Sequence, residues 1–220
     1  FEQLETIYVE DADSTTPGEV TTPFPTLTNL AVEWRIEGDD NLVEGNLIDD
    51  VLFGIHLRQG NRNRILNNRV TGRAAPRGAR GDGLRLWNSR HNHVERNTFR
   101  TVRDLTFANS PDNHILGNTL TDGRYGMQFI FSPRARVENN HLSDTDTGIA
   151  VLYSPELTLR GNTIAHALDG GGAGIAFKDS GNALVENNEI LHCAAAAYAA
   201  CRALGLESSD ILNAIETFPG

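Results

Sequence analysis

Asp122, Asp144, His166 and His192 each stand four residues after an asparagine (Asn118, Asn140, Asn162 and Asn188). Carboxylate and imidazole are the oxygen and nitrogen donors from which metal sites are built. If the asparagines mark equivalent points on stacked rungs, these four side chains share one column about 4.8 Å apart, a spacing at which neighbours reach a common ion. The opposing reading is a solvated polar edge, because the same column contains Gly72 and Thr101. His93 and His114, four residues before their asparagines, lie beside Arg64 and Arg136, and a cationic neighbourhood disfavours a metal. Asp82, Arg85, Arg103, Asp104 and Arg124 are grouped closely enough to resemble an acid–base site. Pairing of Asp82 and Asp104 with Arg103 and Arg124 is the simpler expectation. Lys178–Gly181 (KDSG) carries a serine that falls in a column of small residues with Ser89, Ser110, Ser132 and Ser154, so a nucleophile is not expected there. Cys193 and Cys201, the only cysteines, match no zinc, redox or disulfide spacing and are expected as buried or free thiols.

The elements that must position these residues follow from a repeat. An asparagine closes a strand-like phrase at positions 46, 68, 97, 118, 140, 162 and 188, at intervals of 22, 29, 21, 22, 22 and 26 residues. The long intervals contain Arg73–Gly81 and the glycine run Gly170–Gly172, insertions that bulge without loss of register. Three residues before each asparagine stand Val43, Ile65, Val94, Ile115, Val137, Leu159 and Val185. Two after it stand Ile48, Val70, Phe99, Leu120, Leu142, Ile164 and Ile190. Positions thirteen and eleven before it are also apolar in every full coil, from Ile55 and Leu57 to Ile175 and Phe177. A step of two between buried positions is that of a strand with one face inside. Such a unit buries its apolar face only by stacking on copies of itself. The expected fold is therefore all-β, a right-handed parallel β-helix of about seven coils, the hand being that of parallel crossovers in general. Stacked asparagines pair their amides along the solenoid. Glycines fourteen before the asparagine (Gly54, Gly83, Gly126, Gly148, Gly174) are expected at a corner of unusual φ, with Asp104 in one coil.

Residues 1–31 read as an irregular segment, 32–192 as the β-helix, and 193–220 as a tail in which alanine-rich Ala194–Leu204 favours a helix that caps the last coil. The outward column ten before the asparagine holds Trp87, Ile130 and Leu152, an exposed apolar strip expected either to dock a protein or to lie under a loop or the tail.

With 29 acidic against 19 basic residues the net charge is −10, which repels phosphate backbones and anionic headgroups. Nucleic acid is not an expected partner, and no apolar run is long enough to span a bilayer. A soluble domain is expected, touching a membrane only through a partner. This chain begins with no basic-then-apolar leader, so that end gives no compartment.

The phrases Val51–Leu57 (VLFGIHL), Arg80–Ser89 (RGDGLRLWNS), Arg124–Ser132 (RYGMQFIFS), Gly148–Ser154 (GIAVLYS) and Gly174–Ser180 (GIAFKDS), each followed by a GN- or NN-type phrase or a close variant, resemble the NosD family over about Ile36–His192. The resemblance implies a periplasmic accessory protein that helps assemble the copper–sulfide centre of nitrous oxide reductase together with an ABC-type transporter. It implies those two partners, no required cofactor of the chain's own, and copper as a candidate ligand, for which the Asp122–Asp144–His166–His192 column is the candidate. The ends depart from the family, since residues before Val32 lack regular coils and the alanine-rich tail replaces further ones. A non-enzyme is implied. The rival class is a carbohydrate-binding or polysaccharide-modifying β-helix (lyase, epimerase or glycosidase), and no phrase here resembles the DPHD of alginate epimerases.

Overall fold

The structure is a computed structural model that describes residues 6–9, 19–20, 33–167, 172–193 and 195–200. It is a right-handed parallel β-helix of about seven coils. Each coil contributes three short strands, as in Leu84–Trp87, His93–Glu95 and Thr98–Arg100. The middle strands stack into an eight-stranded sheet. The first and third strands run together through the long Thr119–Ile130 and His141–Leu152, which join both columns into one fourteen-stranded sheet. Among the described strands the pairing is parallel and follows the asparagine count, as in Val94 with Ile115 and Phe107 with Phe129, except for a one-residue shift after Ile48 that sets Val51 opposite Gly72.

The four apolar columns form the core. Every member is buried except Ile190, which packs against the cluster from a partly exposed position. The asparagine ladder runs unbroken: the Asn46 amide donates to Asn68 Oδ1 at 2.9 Å, and each rung repeats this through to Asn162 and Asn188, also at 2.9 Å. The backbone N–H of each asparagine donates to the same acceptor, so one oxygen satisfies two buried donors. A second ladder, Asn41–Asn63–Asn92–Asn113, stands five residues earlier and ends where Ala135 and Leu157 fill the column with core side chains. The serines form a third ladder: the backbone N–H of Ser89 donates to Ser110 Oγ at 3.1 Å, and that of Ser110 to Ser132 Oγ at 3.0 Å.

Three expectations need correction. The glycine column does not adopt left-handed φ, which occurs instead at Gly45, Gly117 and Gly161. Its cause is close approach between rungs, since a Cβ on Gly54 would run into the Gly83 carbonyl oxygen, and one on Gly126 into that of Gly148. Residues 1–31 are not wholly irregular, because Thr6–Val9 and Glu19–Val20 are strands that continue the two sheets. Within the alanine run, Ala195–Ala200 is a strand on Ala173–Lys178 and not a helix. An open sheet edge offers unpaired N–H and C=O groups, and satisfying them outweighs the few tenths of a kcal/mol per residue of alanine's helix preference. Residues 201–220, with Cys201 and the rest of the expected tail, lie outside the described residues, as do Gly170 and Gly171.

Candidate functional site

The edge four residues past the asparagines is a corner where the backbone turns left-handed: φ is 54° at Thr101, 63° at Asp122, 56° at Asp144, 59° at His166 and 51° at His192. Asp, Asn and His tolerate this conformation better than other side chains, which accounts for their presence without any chemistry. It also aims successive side chains outward from consecutive rungs. His166 Nδ1 lies 3.4 Å from Asp144 Oδ1, and the His166 and His192 rings stack with centroids 5.5 Å apart. The Asp144 and His166 side chains are each about half exposed, 50% and 49%.

Asp122 is drawn out of this group. The Arg73–Gly81 insertion contains a 3-10 turn at Arg77–Ala79 and folds over the edge. Arg80 Nη1 lies 3.1 Å and Arg77 Nε 3.3 Å from Asp122 Oδ1, while Arg77 Nη1 reaches Asp146 at 2.6 Å and its Nη2 donates to the Asp144 carbonyl. Burial acts to raise the Asp122 carboxyl, but the two guanidiniums outweigh it and hold the group below its ordinary value. Arg77 and Arg80 were not singled out in the sequence, because the landing place of an insertion is set by tertiary geometry. Asp144, His166 and His192 therefore remain neighbours on successive rungs, carrying the oxygen and nitrogen donors from which metal sites are built. Among the described residues no three ligating side chains already converge on one point.

The other candidate acids pair internally. Arg103 binds Asp82 at 2.8 Å and lies 3.4 Å from Asp104, and Arg124 also pairs with Asp104. Burial pushes the Asp82 carboxyl above its ordinary value despite Arg103. His114 Nε2 lies 2.8 Å from Glu138, which Arg136 also binds at 3.0 Å. His93 meets His114 edge-to-face, and burial, then the neighbouring His114 and Arg64, lower its pKa.

On the outward strip, Trp87 is exposed while Ile130 and Leu152 are half-buried. The strip is wider than expected: Phe131 and Tyr153 stack at 5.1 Å and are 54% and 39% exposed. Both hold left-handed φ, 49° and 50°, at a position where other coils place Asn88, Asn109 or Asp179. That column, polar except at two adjacent rungs, was the signal in the sequence. Cations flank the strip, with Arg58 over Trp87 at 5.7 Å and Lys178 over Tyr153 at 5.5 Å.

The fold is thus a parallel β-solenoid that carries an apolar core, an imidazole–carboxylate edge and an aromatic strip. Residues 66–202, more than half of the chain, match the family described as "Periplasmic copper-binding protein (NosD)", and the chain belongs to that family. It is accordingly a periplasmic copper-binding accessory protein. No curated protein matches the chain. Among the described residues no helix is long and apolar enough to cross a membrane.

Proposed function

We propose that this chain is a non-catalytic scaffold for maturation of nitrous oxide reductase, assisting assembly of its copper–sulfide centre together with an ABC-type transporter. The family match over residues 66–202 carries this reading, and it spans both the edge and the strip. Copper is cargo in this account. Asp144, His166 and His192 hold it at an exposed edge, where incoming ligands from a partner reach it. Closed sites retain a metal, whereas sites with open positions exchange ligands. The internal pairing of Asp82 and Asp104 supports a non-catalytic role, because a polysaccharide-cleaving enzyme needs carboxylates that face substrate.

Trp87, Ile130 and Leu152 are proposed to dock the transporter component or the reductase. Changing all three to serine leaves the core columns untouched, so the variant should fold as wild type. Large apolar anchors dominate docking energy, at about 2 kcal/mol or more for the strongest. Pull-down of the transporter component should therefore fall more than about tenfold, and reductase assembly should fall with it in a strain carrying only the variant. Retention of both with an intact fold would remove the strip from the account. Cleavage or epimerisation of a uronate polymer by the wild-type chain would contradict the maturation reading itself.

A further inference from the structure

A cleft of about 230 Å³ opens on the outward face of the first strand column, lined by Arg35, Phe53, Gly54, His56, Asp82 and Arg85 among others. Arg35 pairs in register with His56, and His56 with Arg85, so three basic side chains occupy consecutive rungs about 4.8 Å apart. The same column continues as Thr106, Gln128, Ala150 and Ala176, so the basic run ends at Arg85. It stands in a chain whose net charge is −10.

The acid in the cleft wall is taken by another cation: Asp82 accepts from Arg103 Nε at 3.0 Å and Nη2 at 2.8 Å. Arg85 Nε is buried, and among the described residues it meets no hydrogen-bond acceptor. The Arg85 guanidinium carbon lies over the Trp87 ring, 5.7 Å from its centroid, and an aromatic ring face is no substitute for an oxygen acceptor. A buried donor without an acceptor is costly, and in a basic concavity the group that removes the cost is an anion with paired oxygens.

We propose that this cleft binds a small oxyanion, with the Arg85 fork as its hydrogen-bonding anchor and Arg35 and His56 lining the cleft beside it. The shared chemistry is two oxygens in the plane of a guanidinium, offered by inorganic phosphate or sulfate and equally by the carboxylate of a sugar acid. This site is independent of the metal edge and of the maturation reading.

Calorimetric titration of the full chain with sodium phosphate, sodium sulfate and sodium glucuronate, against sodium chloride at equal ionic strength, tests it. At least one oxyanion should bind saturably at one per chain. A preference for phosphate or sulfate marks an inorganic ligand, and a preference for glucuronate marks an organic carboxylate. Arg85→Gln should weaken that binding about tenfold or more, and Arg85→Lys, which keeps the charge without the fork, should weaken it several-fold. Absence of saturable binding by all three anions overturns the proposal. So does unchanged affinity in Arg85→Gln or, should that variant not fold, in both Arg85→Lys and Arg35→Gln.

Discussion

Phe129→Asp unfolds the domain. Phe129 is fully buried and stacks on Phe107 one rung away, with centroids 4.7 Å apart and planes at 6°. In register it also pairs with Val151 on the other side, so its ring is enclosed by the column above and below as well as by the core. Loss of a buried phenylalanine costs about 3–5 kcal/mol through the cavity and the lost transfer energy. The aspartate adds the burial of a charge or of a protonated carboxyl without a partner, which costs several kcal/mol more. Together these approach the whole stability of an ordinary domain, about 5–15 kcal/mol. In a solenoid each coil leans only on its neighbours, so a break at this central rung also separates the coils on either side. Loss of the β-sheet circular dichroism signal of the purified variant is the expected reading. A variant that melts like wild type would remove the inward assignment of this column.

Asn118→Ala, a change of only a few atoms, should lower stability by about 2–4 kcal/mol, from one buried donor left without an acceptor at about 1–3 kcal/mol and further lost hydrogen bonds at about 1 kcal/mol each. The Asn118 oxygen accepts the Asn97 backbone N–H at 3.0 Å and the Asn97 side-chain amide at 2.9 Å. Its own amide donates to Asn140 Oδ1 at 3.0 Å and to the Val94 carbonyl at 2.8 Å. Alanine leaves the buried Asn97 backbone N–H without its acceptor and removes the side-chain bonds to Asn140 and Val94, while Asn140 Oδ1 keeps the backbone N–H of residue 118 at 2.9 Å and the Asn97 amide keeps the Ile65 carbonyl at 2.8 Å; Asn97 is 1% exposed. Urea unfolding reads the loss as a lower midpoint at unchanged slope. Asn109→Ala serves as the control, since Asn109 is exposed and its backbone N–H, bonded to the Ile130 carbonyl, is kept. A shift no larger in Asn118→Ala than in this control would mean that the ladder is incidental to stability.

The coil period and the four core columns were legible because stacking makes equivalent residues recur at equivalent offsets, so that seven weak local patterns reinforce one another. The second ladder obeys the same arithmetic through Asn41, Asn63, Asn92 and Asn113, yet lapses into Ala135 and Leu157 halfway along and so escaped notice. Glycine was read as conformational freedom, although at Gly54 and Gly126 the constraint is the backbone of the next rung, which is visible only once the coils are stacked. The alanine run shows the converse failure: local preference pointed to a helix, and pairing with Ala173–Lys178 prevailed over it.

At the candidate edge, the adjacency of Asp144, His166 and His192 followed from the offset alone. The capture of Asp122 by Arg77 and Arg80 did not, because those arginines lie outside the repeat and reach across 45 and 42 residues of sequence. The aromatic pair Phe131–Tyr153 was hidden for a related reason. It occupies left-handed corner positions that the outward column, ten before the asparagine, does not include.

The most direct measurement is the copper content of the purified chain after equilibrium dialysis, compared between wild type and the double variant His166→Ala with His192→Ala. Both side chains point away from the core columns, so the variant should keep its fold and melting temperature. Copper bound by wild type and absent from the double variant is the predicted result, since removal of two imidazoles leaves the half-exposed Asp144 carboxylate as a single weak ligand. Equal copper stoichiometry in the two proteins would contradict the assignment of this edge as the place where the chain carries its metal.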